Sequence, residues 1–262
     1  MGYDAIVIGA GSVGVPIAFF LTLEGQKVLV LEKHASVGQG ENKSAIGGVR
    51  ATHSDPTKIL ICQESLRIFS EWQDTYGYNI GWKKGGYSFP VFGEKEEKLL
   101  KGLLPIQQSF GLNIDWVDGE SIQEIIPGIN PEGLRGGTYS PDDGQVSPLL
   151  AIDGMFRASQ ERGCTFNFNE KVIGFDIENE RILSVKTDKD TYSGGVIINA
   201  AGAYANEIGK LLGLEIPVMP DSHEAGISAP MEQFLGPLVV DIRPGEEGKT
   251  ANFYFGQNHE GP

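Results

Sequence analysis

Residues 3–33 read YDAIVIGAGSVGVPIAFFLTLEGQKVLVLEK, and no other stretch constrains the fold as much. Residues 5–8 are apolar without polar alternation, the pattern of a strand buried on both faces of a parallel sheet. Gly9, Gly11 and Gly14 follow at G-x-G-x-x-G spacing. From residue 15 to 23 the periodicity is helical, and it assigns Val13, Ile17, Phe20 and Leu21 to the face against the sheet. Pro16 falls in the first turn, where its missing N–H costs little, and Gly25 ends the helix. Residues 28–31 form a second apolar strand, closed by Glu32.

In such a βαβ opening each residue type has a physical task. Gly9 allows the tight turn, Gly11 lets the backbone approach a pyrophosphate, and Gly14 lets helix and strand pack closely. Ser12 and Val13 complete the turn at the helix N-terminus, where unpaired N–H groups and the positive dipole end attract phosphate. Glu32, eighteen positions beyond Gly14, suits the ribose hydroxyls. With 36 glycines in the chain the spacing alone arises by chance, so the strand–helix–strand–acid frame carries the assignment to a dinucleotide over a merely structural turn.

Composition excludes several classes. The net charge of −14 argues against a nucleic-acid partner, which would need clustered Lys and Arg. Cys62 and Cys164 share no metal-type spacing, the four histidines are scattered, and no metal site is expected. The thiols suit a reducing, cytoplasmic setting, and no apolar run reaches the roughly 18 residues of a membrane span.

Beyond Glu32 the chain does not continue the winding. Residues 34–55 are a Gly/Ser/Asn/Gln-rich loop, of a length that is uncommon unless functional. Residues 56–76 read as a helix capped by Asp55, with Ile59, Cys62, Leu66 and Phe69 on one face. Strands are expected within GWKKGGYSFPVFG, a charged helix over 94–110, a strand at LNIDWV and a capped helix at DGESIQEI. GGTYSPDDGQVSP reads as turn-rich, 148–163 as a helix, and 165–195 as short strands. VIINAAGAYANEIGKLLG returns to strand, small-residue turn and helix, and the chain from residue 217 reads as further strands ending in an alternating one at 250–255. That last strand lacks a closing element, so continuation beyond residue 262 is expected. A nicotinamide enzyme would add further βα units directly, whereas this interrupted layout suits the longer FAD.

The stretches DAIVIGAGSVG…LVLEK, KSAIGGVRATHSDP, SPDDGQVSP, VIINAAGAYANEIGKLLG and PDSHEAGISAP together resemble the D-amino-acid-oxidase-type family of FAD-dependent oxidoreductases. Within it they are nearest to the sarcosine oxidase β subunits and dye-linked L-proline dehydrogenase β subunits. The resemblance implies an α/β fold: a Rossmann-like, GR2-type FAD-binding domain carrying an inserted α+β substrate domain on a mixed or antiparallel sheet. The expected segments are 1–80 and 146–216 for FAD binding, with 81–145 and 217–262 for the substrate domain, the latter incomplete.

The resemblance also implies site residues. Lys33, Lys43, Ser44, Ala45, Gly47 and Gly48 would run beside the flavin, Val172 would meet the adenine, and Ala200, Ala201 and Gly202 would return to the pyrophosphate. Tyr204 would cover the adenine side. Arg50 would hold a substrate carboxylate, with a solvated surface arginine as the alternative, and His53 follows it as a weaker candidate. His223 and Tyr254 would line the roof of the substrate site, Tyr254 being otherwise a core residue. The implied activity is oxidation of a secondary or N-methyl amino acid to the imine by hydride transfer to flavin N5, with oxygen or a partner subunit receiving the electrons. An NAD-linked dehydrogenase and a catalytically silent flavoprotein subunit are the competing readings.

Overall fold

The computed structural model describes residues 2–222, 224–244 and 253–257, and two compact units emerge from the chain. The first combines residues 1–45 with 148–226, and the second combines 46–147 with 227–262. Elements in chain order are β1 (Tyr3–Ile8), α1 (Gly14–Leu23), β2 (Val28–Leu31), β3 (Gly48–Val49), α2 (Pro56–Tyr76), β4 (Tyr87–Val91), α3 (Glu94–Ser109) and β5 (Asp115–Val117). Then come α4 (Gly119–Ile125), β6 (Gly136–Ser140), β7 (Gly144–Gln145), α5 (Pro148–Glu161), β8 (Thr165–Asn167), β9 (Val172–Glu178) and β10 (Arg181–Thr187). The last are β11 (Thr191–Tyr192), β12 (Gly194–Asn199), α6 (Ala205–Lys210), β13 (Leu238–Asp241) and β14 (Phe253–Phe255).

Unit 1 is built on a parallel sheet of order β12-β1-β2-β8. Its central strands are apolar throughout because both faces are covered: Ile6, Val7, Leu29 and Val30 are all fully buried. On one face Ile6, Ile8, Leu29 and Leu31 pack with Val172 and Val185 of the antiparallel trio β11-β10-β9. Helix α1 presents Gly14, Val15, Ala18, Phe19 and Thr22 as its buried stripe. This corrects the expected face, since Val13 is 58 % and Phe20 42 % exposed. The small residues Gly14 and Ala18 permit close approach, and a close-packed helix turns that stripe inward in preference to its bulkier one.

Unit 2 carries a five-stranded mixed sheet of order β14-β13-β4-β6-β5 and the short ribbon β3-β7. Tyr87, Phe89, Leu238 and Val240 pack on one face, while Leu235 and Val239 join Ile122 of α4 and Ile126 just beyond it on the other. Helix α2 clusters with this unit, through α3 and β3, and not with the first FAD-binding segment where the sequence had placed it; the first division falls at 45/46.

Two other expectations need correcting. GGTYSPDDGQVSP holds two strands, β6 and β7, because its glycines serve close strand approach: a Cβ on Gly137 would lie 2.6 Å from the Phe89 carbonyl oxygen. Among the described residues of 217–237 there is no strand, since Pro217, Pro220, Pro230 and Pro237 withhold ladder donors. Residues 250–252 of the expected last strand, and His223, lie outside the described residues.

Candidate functional site

The candidate site of unit 1 is a cleft of about 190 Å³ at the carboxyl ends of β1, β2 and β12, where open α/β sheets bind ligands. Two turns form its floor. After β1, Gly9, Gly11, Ser12 and Val13 line it; after β12, Ala200, Ala201 and Gly202 do so. A Cβ on Gly9 would lie 2.6 Å from the Ala200 carbonyl oxygen, so the turns touch backbone to backbone. Gly9 also has φ +105°, which few other residues tolerate.

Gly14 does not line the cleft. Its absent Cβ would fall 1.9 Å from the Gly9 carbonyl oxygen, so it serves helix–strand contact. Gly11 and Gly202 have nothing within 4 Å of theirs, leaving bare backbone toward the cavity. No side chain caps α1 at Val13; Val15 and Ile17 donate to the Gly11 and Val13 carbonyls and Pro16 has no N–H, which leaves the amides of the turn into the helix for an anion.

One wall is Glu32, 9 % exposed, whose Oε2 accepts the Ala10 N–H and Oε1 the His34 N–H, both at 2.8 Å. These bonds fix the carboxylate, while each oxygen keeps a lone pair for a hydroxyl. Glu170 adjoins this wall, its N–H donating to the Glu32 carbonyl at 2.9 Å, and Val172 and Tyr204 also line the cleft, with Lys33 Nζ 3.2 Å from the centre of the Tyr204 ring. Glu170 is buried and accepts from Thr187 Oγ1 at 2.8 Å. The sequence reading missed Glu170, Gly40, Glu41, Ala203 and Glu207, which also line the cleft. Its only signal for Glu170 was an acid two positions before the assigned Val172.

Lys43 and Ser44 lie on a 3₁₀ turn (Glu41–Ser44) and, with Ala45, are exposed and outside the cleft lining. Gly47 and Gly48 belong to unit 2. Gly48 has a task of its own there, because a Cβ on it would sit 1.8 Å from the Tyr87 hydroxyl. The bare backbone, the uncapped helix and the anchored Glu32 together fit a dinucleotide diphosphate and its ribose.

Arg50, His53 and Tyr254 all fall in unit 2. The half-buried Arg50 guanidinium lies 5.5 Å from the Phe89 ring centre and 5.9 Å from that of Tyr87. Its hydrogen bonds to described residues all leave from Nη1, to the Thr52 carbonyl and, at 3.4 Å, to the Thr52 hydroxyl. Tyr254 opposes Val240 on β13 and is 49 % exposed, so it is not core. Burial, then Arg50 and Lys58, lower the pKa of His53 below its ordinary 6.5, and it is neutral at pH 7. Burial pushes the Tyr87 hydroxyl up to about 12.

Sequence reading also missed Asp143 and Gln145. Both are buried, 1 % and 5 % exposed, and Asp143 Oδ1 accepts the Ala51 N–H at 2.9 Å. DDGQV carried no periodic signal for them, because residues 143–146 are all buried.

No helix among the described residues is long and apolar enough to cross a membrane. The family described as "DAO: FAD dependent oxidoreductase" matches residues 4–258. Human mitochondrial dimethylglycine dehydrogenase is 24 % identical over 98 % of this chain and 30 % of its own length. Glycine oxidase of Geobacillus kaustophilus is 27 % identical over 83 % of this chain and 59 % of its own. The chain thus spans less than two thirds of these curated relatives. The crystal structure of L-proline dehydrogenase from P. horikoshii superposes with a TM-score of 0.87 at 27 % identity, covering 99 % of this chain and 68 % of that one.

Proposed function

The chain belongs to the DAO family of FAD-dependent oxidoreductases, and from that premise we propose that it oxidises a secondary or N-methyl amino acid to the imine. The cleft of unit 1 carries this reading: two small-residue turns meet at one floor beside an anchored acid. Gly11, Ser12 and Val13 would give N–H groups to the diphosphate, Ala200 to Gly202 would give it a flat backbone, and Glu32 would take the ribose hydroxyls. Val172 and Tyr204 would flank the adenine. FAD, when bound, supplies a hydride acceptor at its N5, which is the difficult part of the chemistry.

What remains for the protein is to hold the amino acid. Arg50 is assigned to its carboxylate, because among the described residues the Nε–Nη2 edge is left for a bidentate pair while Nη1 is tied to Thr52. Half-burial strengthens that pair relative to one in water. Phe89 and Tyr87 form an aromatic bed that keeps the guanidinium flat. Tyr254 would add a hydroxyl donor, and neutral His53 adds no competing cation. The relatives, which include a glycine oxidase and a monomeric sarcosine oxidase, support a small amino-acid substrate. We also assign the protein to the cytosol, on its two free thiols, and allow it a partner subunit as electron acceptor.

The test is spectroscopic. Sarcosine, L-proline, hydroxyproline and glycine are added anaerobically to the FAD-loaded protein, and the flavin band at about 450 nm is followed. Bleaching by one of the four supports the reading. A yellow protein that none of them bleaches refutes it in favour of a silent flavoprotein.

A further inference from the structure

We propose that Asp143 is a positioning residue for Arg50: it fixes the peptide that follows the arginine and presents a buried anion that orients the guanidinium toward a carboxylate ligand. This rests on the reading of Arg50 as the carboxylate clamp.

The geometry begins with burial. Asp143 is 1 % exposed, and Ala51, whose N–H it accepts at 2.9 Å from 92 residues away, is fully buried. The Asp143 carbonyl in turn accepts the Gly86 N–H at 2.8 Å. One residue therefore ties together the exit of β3, the approach to β4 and the turn between β6 and β7. On its far side the 50–53 segment is held by Gln107, whose Nε2 donates to the His53 carbonyl at 3.1 Å.

The tie to Ala51 needs only an acceptor, and an asparagine would provide one. A buried ionisable group is costly wherever a neutral one would do, so the charge needs a separate reason. The groups around it supply one. Its carboxyl faces the Arg50 guanidinium, the Ser140 and Thr52 hydroxyls, the Tyr87 hydroxyl and the Cys62 thiol. Arg50 is the only cation among these. Among the described residues Asp143 Oδ2 makes no close hydrogen bond, and only the Ser140 and Thr52 hydroxyls stand beside the carboxyl to restrain it. An anion fixed by one oxygen and facing a guanidinium sets the arginine's direction.

The experiment uses the FAD-loaded protein and pyrrole-2-carboxylate as probe, with affinity measured by calorimetry from pH 5 to 8. The probe's own carboxylate stays ionised throughout. Asp143 is pushed up to about 6 by burial, so the wild type is expected to lose affinity as pH falls through that value. Asp143→Asn should bind about tenfold more weakly at pH 8 and show no pH step, since its arginine is no longer aimed. His53 also faces Arg50 and titrates below its ordinary value, so His53→Gln is measured beside it; the step should survive that change.

A step that vanishes in His53→Gln, or that persists in Asp143→Asn, overturns the proposal. So does unchanged affinity in Asp143→Asn when Arg50→Gln weakens binding, and in that case the clamp itself stands. Arg50→Gln that binds like the wild type, or a wild type that binds no probe, removes the clamp and this role with it. If Asp143→Asn does not accumulate as folded protein, the wild-type and His53→Gln profiles still decide.

Discussion

At Gly14 an added methyl would collide with the Gly9 carbonyl oxygen, whereas at Gly11 it would enter open space. The two glycines of one motif should therefore fail differently. Gly14→Ala is expected to destabilise the apoprotein by about 1–3 kcal/mol, seen as a lowered melting temperature. Gly11→Ala should melt like the wild type without FAD and lose FAD affinity in a fluorescence titration. Asp143 makes a second prediction at this scale. Its folded-state pKa, about 6, lies above the ordinary 3.8, so the folded state holds the proton more tightly. Its contribution to stability is then favourable at low pH and is lost as pH rises toward 6. The full penalty, about 3 kcal/mol, is reached only above that. Thermal melts of Asp143→Asn should accordingly gain on the wild type between pH 5 and 7.5, while carboxylate binding declines. Stability given up for a fixed charge is a common trade at functional sites.

Helix α2 was readable end to end because its signals are local. Asp55 accepts the Lys58 N–H at 3.0 Å, Pro56 opens the first turn, and Gly77 closes the helix at φ +79°. Asp55→Ala should cost about 1 kcal/mol, measurable by chemical denaturation, with the FAD spectrum unchanged. Where the deciding contacts are remote, the pattern misleads. The face of α1 was misread because Gly14 and Ala18 earn their place by proximity to other backbone, which periodicity scores as weakly apolar. In β6 the glycines at 136 and 137 look like turn residues, although they are there because Val117 and Phe89 press against them. Buried Trp72, whose ring centre lies 4.4 Å from that of Tyr76 at a tilt of 42°, lay off the stripe assigned to α2.

Across the molecule the candidate cofactor cleft was more legible than the proposed substrate site. Gly9, Gly11 and Glu32 are set by spacing within one short motif. The Asp143–Ala51 bond joins positions that nothing in the sequence marks as neighbours. Binding of FAD to unit 1 should show up as slowed hydrogen–deuterium exchange over 9–14, 32–34, 170–172 and 200–204. Protection confined to unit 2 would contradict the cleft assignment. At a hundredfold excess over Kd, FAD should add about 2.7 kcal/mol of stability, visible as a concentration-dependent melt.

The pairing of β1 with β12 has a consequence for biosynthesis. Tyr3 lies against Gly194, so β1 waits for a strand about 190 residues further along before its second edge is covered. At about 5–20 residues per second, a ribosome needs roughly 10–40 s to reach that point. Throughout this interval the nascent chain has a glycine turn but no partner turn, and it should ignore FAD in the surrounding medium. Cofactor capture then waits until β12 and the turn after it have been made, and arrested chains shorter than about residue 200 should emerge colourless.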